Sequence, residues 1–488
     1  MTDTTERSGG LALAGDLGPR AVMFVAGLVF VLLMLFGLIM RANQAGLIEI
    51  DPSLFYQLMT AHGVGMVGTS GIAGAAIMWH FLRAYAPVSP TVFWLITAIF
   101  LVGVVLILAA IFLMDFAAAW TFLYPLPAKS AGVWGPGAAV VYLLGLLLVG
   151  VAFLVFNLDA GRAILASYGS LTKALGWPTL FGSSGDAPPP TVVVSTVVVI
   201  INTLALVVGA AIIVISLINV LVPTFAIDAL LAKNLIFFFG HVFINATIYM
   251  AIIAVYEIVP RYTGRPWPAS RIFLASWAVT FLIVLTVYPH HLFQDVAMPS
   301  GVLATAQILS YLSGIPVLAV TTLSLLGYLY GANVKWDLPL ALLVLGVFGW
   351  AGGAVPAVID GIVVVNKIMH NTMWVPGHFH FYLLLGVVAM AFGFMMWLAR
   401  STPNEGLQGA AGLLLWCYVL GGMGLVGTFL VAGSNSVPRR WAVHIPEWQA
   451  IDMVATAFAA LSVLGAAYFL IRYLVGFNAQ PPTTDAAE

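Results

Sequence analysis

The stretch His370–Ala399, "HNTMWVPGHFHFYLLLGVVAMAFGFMMWLA", sets two imidazoles, His378 and His380, at the head of an apolar run that continues to Ala399. A run of about 20 apolar residues is long enough to cross a bilayer as a helix. Residues two apart on a helix point about 200° away from each other. One membrane helix can therefore offer a ligand on each of two sides. An imidazole in hydrocarbon is costly unless it binds something, so the pair reads as metal ligation.

The rest of the chain is of the same kind. Of 488 residues, 62% are hydrophobic and 7% charged, and the mean hydropathy is +1.08, far from the composition of a soluble domain. This predicts an all-α integral membrane protein in contact with lipid. The net charge of −1 and the lack of a basic run exclude nucleic acid as a partner. The single cysteine, Cys417, excludes a disulfide framework and a thiolate metal site, leaving histidine as the available ligand type.

Twelve stretches are long enough to span, beginning near Ala21, Gln57, Thr91, Pro136, Thr191, Lys233, Arg271, Gly301, Leu338, Met373, Gly409 and Ile451. They define one domain over 21–476, with polar tails at 1–20 and 477–488. The longest connection, Asp159–Pro190, carries "GSSGDAPPP" and reads as a polar loop. Met1–Arg20 lacks the layout of a cleaved secretory signal. With the N-terminus inside, eleven of the seventeen Lys and Arg residues fall on the cytoplasmic side. That bias predicts both termini in the cytoplasm of a multi-pass protein.

Six of the nine histidines, His62, His241, His290, His291, His378 and His380, lie in or at the ends of these spans. On this topology all six fall in the outer half of the membrane, roughly 8 to 12 Å below the outer helix ends at a rise of about 1.5 Å per residue. His62 is the natural second axial ligand for a haem on one side of the tenth span, giving low-spin, bis-histidine iron. The other tenth-span histidine would hold a haem with an open position. His290 and His291 are adjacent and can converge on one ion only where the backbone is irregular, which Pro289 supplies. His241 completes a three-imidazole site for copper, with iron or zinc open on ligand type alone.

The motifs "TAHG" at Thr60–Gly63, "GH" at Gly240–His241, "PHH" at Pro289–His291, "HNTMWVPGHFH" at His370–His380 and "PRRW" at Pro438–Trp441 resemble the catalytic subunit (subunit I) of the haem-copper oxidoreductase superfamily, in a form similar to its B family. The resemblance runs through almost the whole chain and implies the twelve-helix subunit I bundle. It implies that His62 and His380 ligate the low-spin haem, that His378 ligates the high-spin haem, and that His241, His290 and His291 hold copper. It implies that Arg439, Arg440, His370 and Asn371 serve the haem propionates. It further implies an electron donor on the outer face, a cupredoxin-like subunit II or a cytochrome c type protein, and residence in a bacterial or archaeal plasma membrane.

One position departs from the pattern. Oxygen-reducing members carry a tyrosine four residues after the helix 6 copper ligand, where this chain has Asn245. An amide is neither a radical source nor an acid. One turn from His241 on the same face, it should point into the metal pocket. Iron-type nitric oxide reductases carry a glutamate there, and three imidazoles without a carboxylate favour copper. The pattern resembles the copper-containing nitric oxide reductase branch, which implies 2 NO + 2 e− + 2 H+ going to N2O and H2O. The alternative is a terminal oxidase of cytochrome c oxidase type, reducing O2 to water with proton translocation, with Tyr288 as the nearest substitute phenol.

A proton path is expected along His241, Asn245, Tyr249 and Tyr256, which share an arc of about 80° on the sixth span. Ser310, Ser313, Thr321 and Ser324 on the eighth span run beside it, and Glu257 is the candidate entry carboxylate. Two further classes compete. A transporter explains twelve helices but not histidines at one depth; a haem-binding structural subunit needs His62, His378 and His380 but not the other three.

Overall fold

A computed structural model describes residues 17–182, 185–295, 297–400 and 406–477. Among these residues, twelve helices are long and apolar enough to cross a membrane: α1 Leu17–Gln44, α2 Pro52–Leu82, α3 Pro90–Leu113, α4 Pro136–Tyr168, α5 Pro190–Leu221, α6 Ala229–Thr263, α7 Arg271–Leu292, α8 Ser300–Leu329, α9 Leu338–Asp360, α10 Trp374–Ala399, α11 Ala410–Ser434 and α12 Pro446–Val475. Each begins within about five residues of its expected start, since a bilayer's thickness dictates span length. The expected N-terminal tail is shortened because α1 starts at Leu17; residues 1–16 and 478–488 lie outside the described residues.

Local signals set the helix starts. Asp51, Ser89, Asp228, Ser270 and Asp337 each accept a backbone N–H of the first turn they precede, and proline opens α2, α3, α4, α5 and α12. Asp159–Pro190 is less of a loop than its composition suggests. α4 continues to Tyr168, stops at Gly169 with φ +75°, and is followed by two single-turn helices, Leu171–Ala174 and Trp177–Leu180. Asp159 stays useful there, accepting from the Ser89 backbone at 2.8 Å and pairing with Arg162 at 2.6 Å.

Sequential helices pack as antiparallel neighbours, and α12 returns to pack on α1. The Tyr473 hydroxyl donates to the Arg20 carbonyl at 2.9 Å, and the Arg20 guanidinium donates to the carbonyls of Leu398 and Phe477, so the two described ends meet on one face. Every fourth helix of the centre, α2, α6 and α10, is surrounded: 83%, 83% and 89% of its most apolar stretch is buried in protein, against 28–39% for α7 and α8. Enclosed by protein, they can carry polar side chains that a lipid-facing span cannot, and α2 is the least apolar of the twelve.

Two spans are irregular beside the histidines. α7 is α-helical only to Val284 and ends in a 3-10 turn, Tyr288–Leu292; α8 is interrupted at Gly314, between Ser300–Ser313 and Ile315–Leu329. α10 passes through a π turn, Leu383–Val388, directly after its histidines. Such turns accommodate one extra residue and cluster at functional sites.

Candidate haem and metal centre

The ligand-bearing residues of α2, α6, α7 and α10 line one cavity of about 570 Å3. At one end the rings of His62 and His380 lie 17° from parallel with centroids 6.1 Å apart. That leaves room for one iron bound about 2 Å from a nitrogen of each ring. The Nδ1 of His62 meets the Leu33 carbonyl at 2.7 Å and the Nδ1 of His380 meets the Pro376 carbonyl at 2.7 Å. A carbonyl on Nδ1 places the proton there and leaves Nε2 as the basic ligand nitrogen. Gly37 of α1 makes the approach possible: a Cβ there would sit 3.1 Å from His62 Cε1. His378 has the same arrangement, Nδ1 facing the Gly353 carbonyl at 3.3 Å, and it lines the cavity from the opposite side of α10. The two-residue spacing thus turns the two rings to different sides of α10.

His241, His290 and His291 converge, with one nitrogen from each lying within 4.8 Å of the others. The 3-10 turn after Pro289 lets adjacent imidazoles reach one point, their ring centroids 4.3 Å apart. His241 Nδ1 and His291 Nε2 are 3.3 Å apart. That is about the separation of two ligands on a tetrahedral metal with bonds of about 2.0 Å. His290 turns its Nδ1 to the Ser310 hydroxyl at 2.8 Å, leaving its other nitrogen for a metal. Three neutral nitrogen donors without a carboxylate suit copper.

Asn245 occupies the expected place: its amide nitrogen is 3.4 Å from His241 Nε2 and donates to the His241 carbonyl at 2.9 Å, while its oxygen accepts from the Tyr249 hydroxyl at 3.4 Å. Tyr288 does not face the cavity. Its hydroxyl donates to Asn234 Oδ1 at 3.0 Å, because the 3-10 turn that gathers the imidazoles swings residue 288 back against α6. The phenols that line the cavity are Tyr249 and Tyr382, the second edge-on to the His378 ring at 5.2 Å.

The hydroxyl stripe is partly assembled. Tyr249, Ser310 and Ser313 line the cavity, and the Tyr256 hydroxyl meets Thr321 Oγ1 at 2.7 Å across α6 and α8. Ser324, half-buried, follows one turn on. Glu257 accepts from Tyr85 at 3.0 Å and from Thr191, on the α2–α5 side of α6, about 100° round from Tyr256.

At the cavity rim, Thr372 and Pro438 form a backbone bridge and Arg439 N–H donates to the Asn371 carbonyl at 3.0 Å, drawing the "PRRW" turn onto the head of α10. Arg439, Arg440, His370 and Asn371 all line the cavity. Arg440 donates to Thr121 at 3.1 Å, and the Arg439 Nε is buried with no partner. Burial and the neighbouring guanidinium push Arg439 down to about 10, so it stays charged; burial and both guanidiniums push His370 down to about 4, so it stays neutral. Two adjoining guanidiniums, Arg439 half-buried and Arg440 exposed, with one buried, orphaned N–H fit carboxylates such as haem propionates.

Three groups escaped the sequence reading. Asp360, at the end of α9, is the carboxylate among the cavity's lining residues and accepts from Asn366 at 3.0 Å. A single acid closing an apolar span was the available signal. Trp120, from the α3–α4 connection, lies against Gly63, Gly240 and Phe379, touching a neighbour of each ligand group; no periodic signal marks it. His80 is a seventh span histidine, buried at the far end of α2 among Phe81, Phe394 and Trp397, so the histidine layer is not exclusive.

Comparison with known proteins agrees with this arrangement. Residues 20–467 match the family model described as Cytochrome C and Quinol oxidase polypeptide I. The cytochrome c oxidase polypeptide 1 of Halobacterium salinarum is 23% identical over 472 residues, covering 91% of this chain and 75% of that protein. The cytochrome c oxidase subunit 1 of Thermus thermophilus is 26% identical over 286 residues, covering 53% of this chain and 51% of that protein. In fold, a chain of a heme-copper terminal oxidase dimer solved by cryo-electron microscopy superposes with a TM-score of 0.75 at 18% identity, covering 96% of this chain and 85% of that one. The relatives carry oxidase names and none of these is a nitric oxide reductase. With a twelve-helix bundle, paired imidazoles on α10 and the three-histidine cluster, the chain belongs to the haem-copper oxidase subunit I family.

Proposed function

We propose that this chain is the catalytic subunit of a respiratory complex that reduces nitric oxide to nitrous oxide, 2 NO + 2 e− + 2 H+ going to N2O and H2O. The observation that carries the reading is Asn245, whose amide stands 3.4 Å from His241 Nε2 where a redox tyrosine would otherwise sit. On this reading His62 and His380 hold a low-spin haem, His378 a high-spin haem, and His241, His290 and His291 a copper ion. When bound, these groups supply the two electrons and the place where substrate binds. Arg439 and Arg440, with His370 and Asn371, fix the haems by their propionates.

The chain's own task is then to bring protons and keep the pocket short of a fourth electron. An amide passes no hydrogen atom, so a two-electron, two-proton reaction matches the pocket. Tyr249 stands behind Asn245, and Tyr256 with Thr321 continues the hydroxyl path toward the opposite face. Electrons enter on the face of Arg439 and Arg440, from a cupredoxin-like subunit or a cytochrome c type donor, in a bacterial or archaeal plasma membrane.

Dioxygen reduction to water with proton translocation is the second reading. It is favoured by the names of the relatives and by the Tyr249 phenol, one hydrogen bond behind Asn245. The purified complex, given electrons, should form N2O from NO faster than it consumes O2. Asn245→Tyr should lower N2O formation by about a hundredfold, the scale of losing one positioned hydrogen-bond donor in a reaction pocket. Brisk O2 uptake with negligible N2O in the unaltered complex would replace the first reading by the second.

A further inference from the structure

The irregular end of α7 carries two of the three ligands of the histidine cluster, yet a 3-10 turn has poorer hydrogen bonding than an α-helix and does not hold ring directions by itself. What holds it is the first two turns of α6. Asn234 Oδ1 accepts from the Tyr288 hydroxyl at 3.0 Å, two residues before His290. Lys233 Nζ pairs with Asp295 Oδ2 at 2.8 Å, four residues after His291. Between these two grips, Phe237 stacks on the His291 ring at 5.3 Å and 10°, and Phe238 meets the Tyr288 ring edge-on at 5.4 Å. Two turns further along α6 stands His241, the third ligand. Asn234, His241 and Asn245 are spaced seven and four residues apart and so share one face.

The same helix thus carries one ligand and grips the segment that carries the other two on both sides. Ser310 of α8 on His290 and the Asn366 carbonyl on Gln294 add ties from the other side, but only α6 grips the turn both before and after its imidazoles among the described residues. The bond to Lys233 holds the Asp295 carboxyl below the usual aspartate range, so it is a carboxylate at neutral pH.

We propose that Lys233 and Asn234 are positioning residues for the histidine-bound metal: through Asp295 and Tyr288 they fix the direction of His290 and His291 against His241 before the ion arrives. The inference rests on reading the histidine trio as a metal site. It gives Tyr288 a mechanical part and removes it as a redox centre. Residues that orient ligands through hydrogen bonds typically change metal affinity by about 10- to 100-fold.

The test uses the purified full complex carrying Tyr288→Phe, Lys233→Met or both, with Lys233→Arg as the conservative control. Metal per haem is measured by elemental analysis during timed exposure of the reduced protein to a copper(I) chelator. The reduced-minus-oxidised haem spectrum reports whether the bundle is intact. Each single variant should lose metal about tenfold faster than the unaltered complex, and the double variant about a hundredfold faster, with unchanged haem bands; Lys233→Arg should restore retention. Tyr288→Phe deletes one oxygen atom, so it keeps the test alive if Lys233→Met fails to assemble. Retention within about twofold of the unaltered complex in the double variant overturns the proposal. Full metal with abolished turnover in Tyr288→Phe also overturns it, because that result makes the phenol a reactant. An unaltered complex with no metal beyond haem iron would instead overturn the metal-site reading beneath it.

Discussion

The two halves of the cavity are built on different terms. On the side proposed to hold haem, His62, His378 and His380 stand on α2 and α10, which are 83% and 89% buried, and each ring is tied by Nδ1 to a backbone carbonyl. On the metal side, two of three imidazoles stand on a 3-10 turn at the end of α7, 39% buried, beside an α8 broken at Gly314. Their ties are to side chains: Ser310 on His290, Phe237 on His291. Backbone acceptors in a packed bundle move only if the helix moves, whereas side-chain ties depend on rotamers. One half is rigid by burial, the other by individual contacts.

Ligand replacement should break the comparison most visibly. His291→Ala should empty the metal site and stop turnover while leaving both haem bands in the difference spectrum. His62→Ala should remove the low-spin haem signal and, by opening a polar hole between central helices, reduce the yield of folded complex. Equal damage to both chromophores from His291→Ala would show the halves to be one unit. A smaller effect is expected in amide hydrogen exchange of the purified complex: α2, α6 and α10 should be the last spans to exchange and the 288–314 segment among the first, since local opening follows contact density. Comparable protection in the two regions would remove the distinction. Smallest is Gly37→Ala, which places a methyl 3.1 Å from the His62 ring; a cost of about 1–3 kcal/mol and a shifted low-spin haem band are expected, with metal content untouched. A variant with a native band position would show that His62 has slack.

Legibility follows the same division. Span positions, the α10 pair and the gathering of His241, His290 and His291 could be read because bilayer thickness, two-residue spacing and Pro289 each have a direct geometric meaning. What could not be read was which neighbours each side chain meets. The polar arc of α6 is visible in its sequence, but nothing there marks that Glu257, off that arc, joins Tyr85 and Thr191. Tyr288 was placed by distance in sequence, but the turn that brings the imidazoles inward carries its hydroxyl to Asn234. Asp360 and Trp120 enter the cavity from a helix end and a loop, where no periodicity operates.

The π turn at Leu383–Val388 has a bearing on how this chain tolerates changes of length. It stores one residue more than an α-helix would, and one residue corresponds to about 100° of helix rotation. Deleting any single residue within it would act as a twist rather than a shortening. The lower half of α10, with Phe392 and Phe394 locked in the core, would hold still, and His378 and His380 would turn away from the cavity they line. A one-residue gap at this point is therefore a change of chemistry, while the same gap in the Asp159–Pro190 connection leaves the ligands where they are.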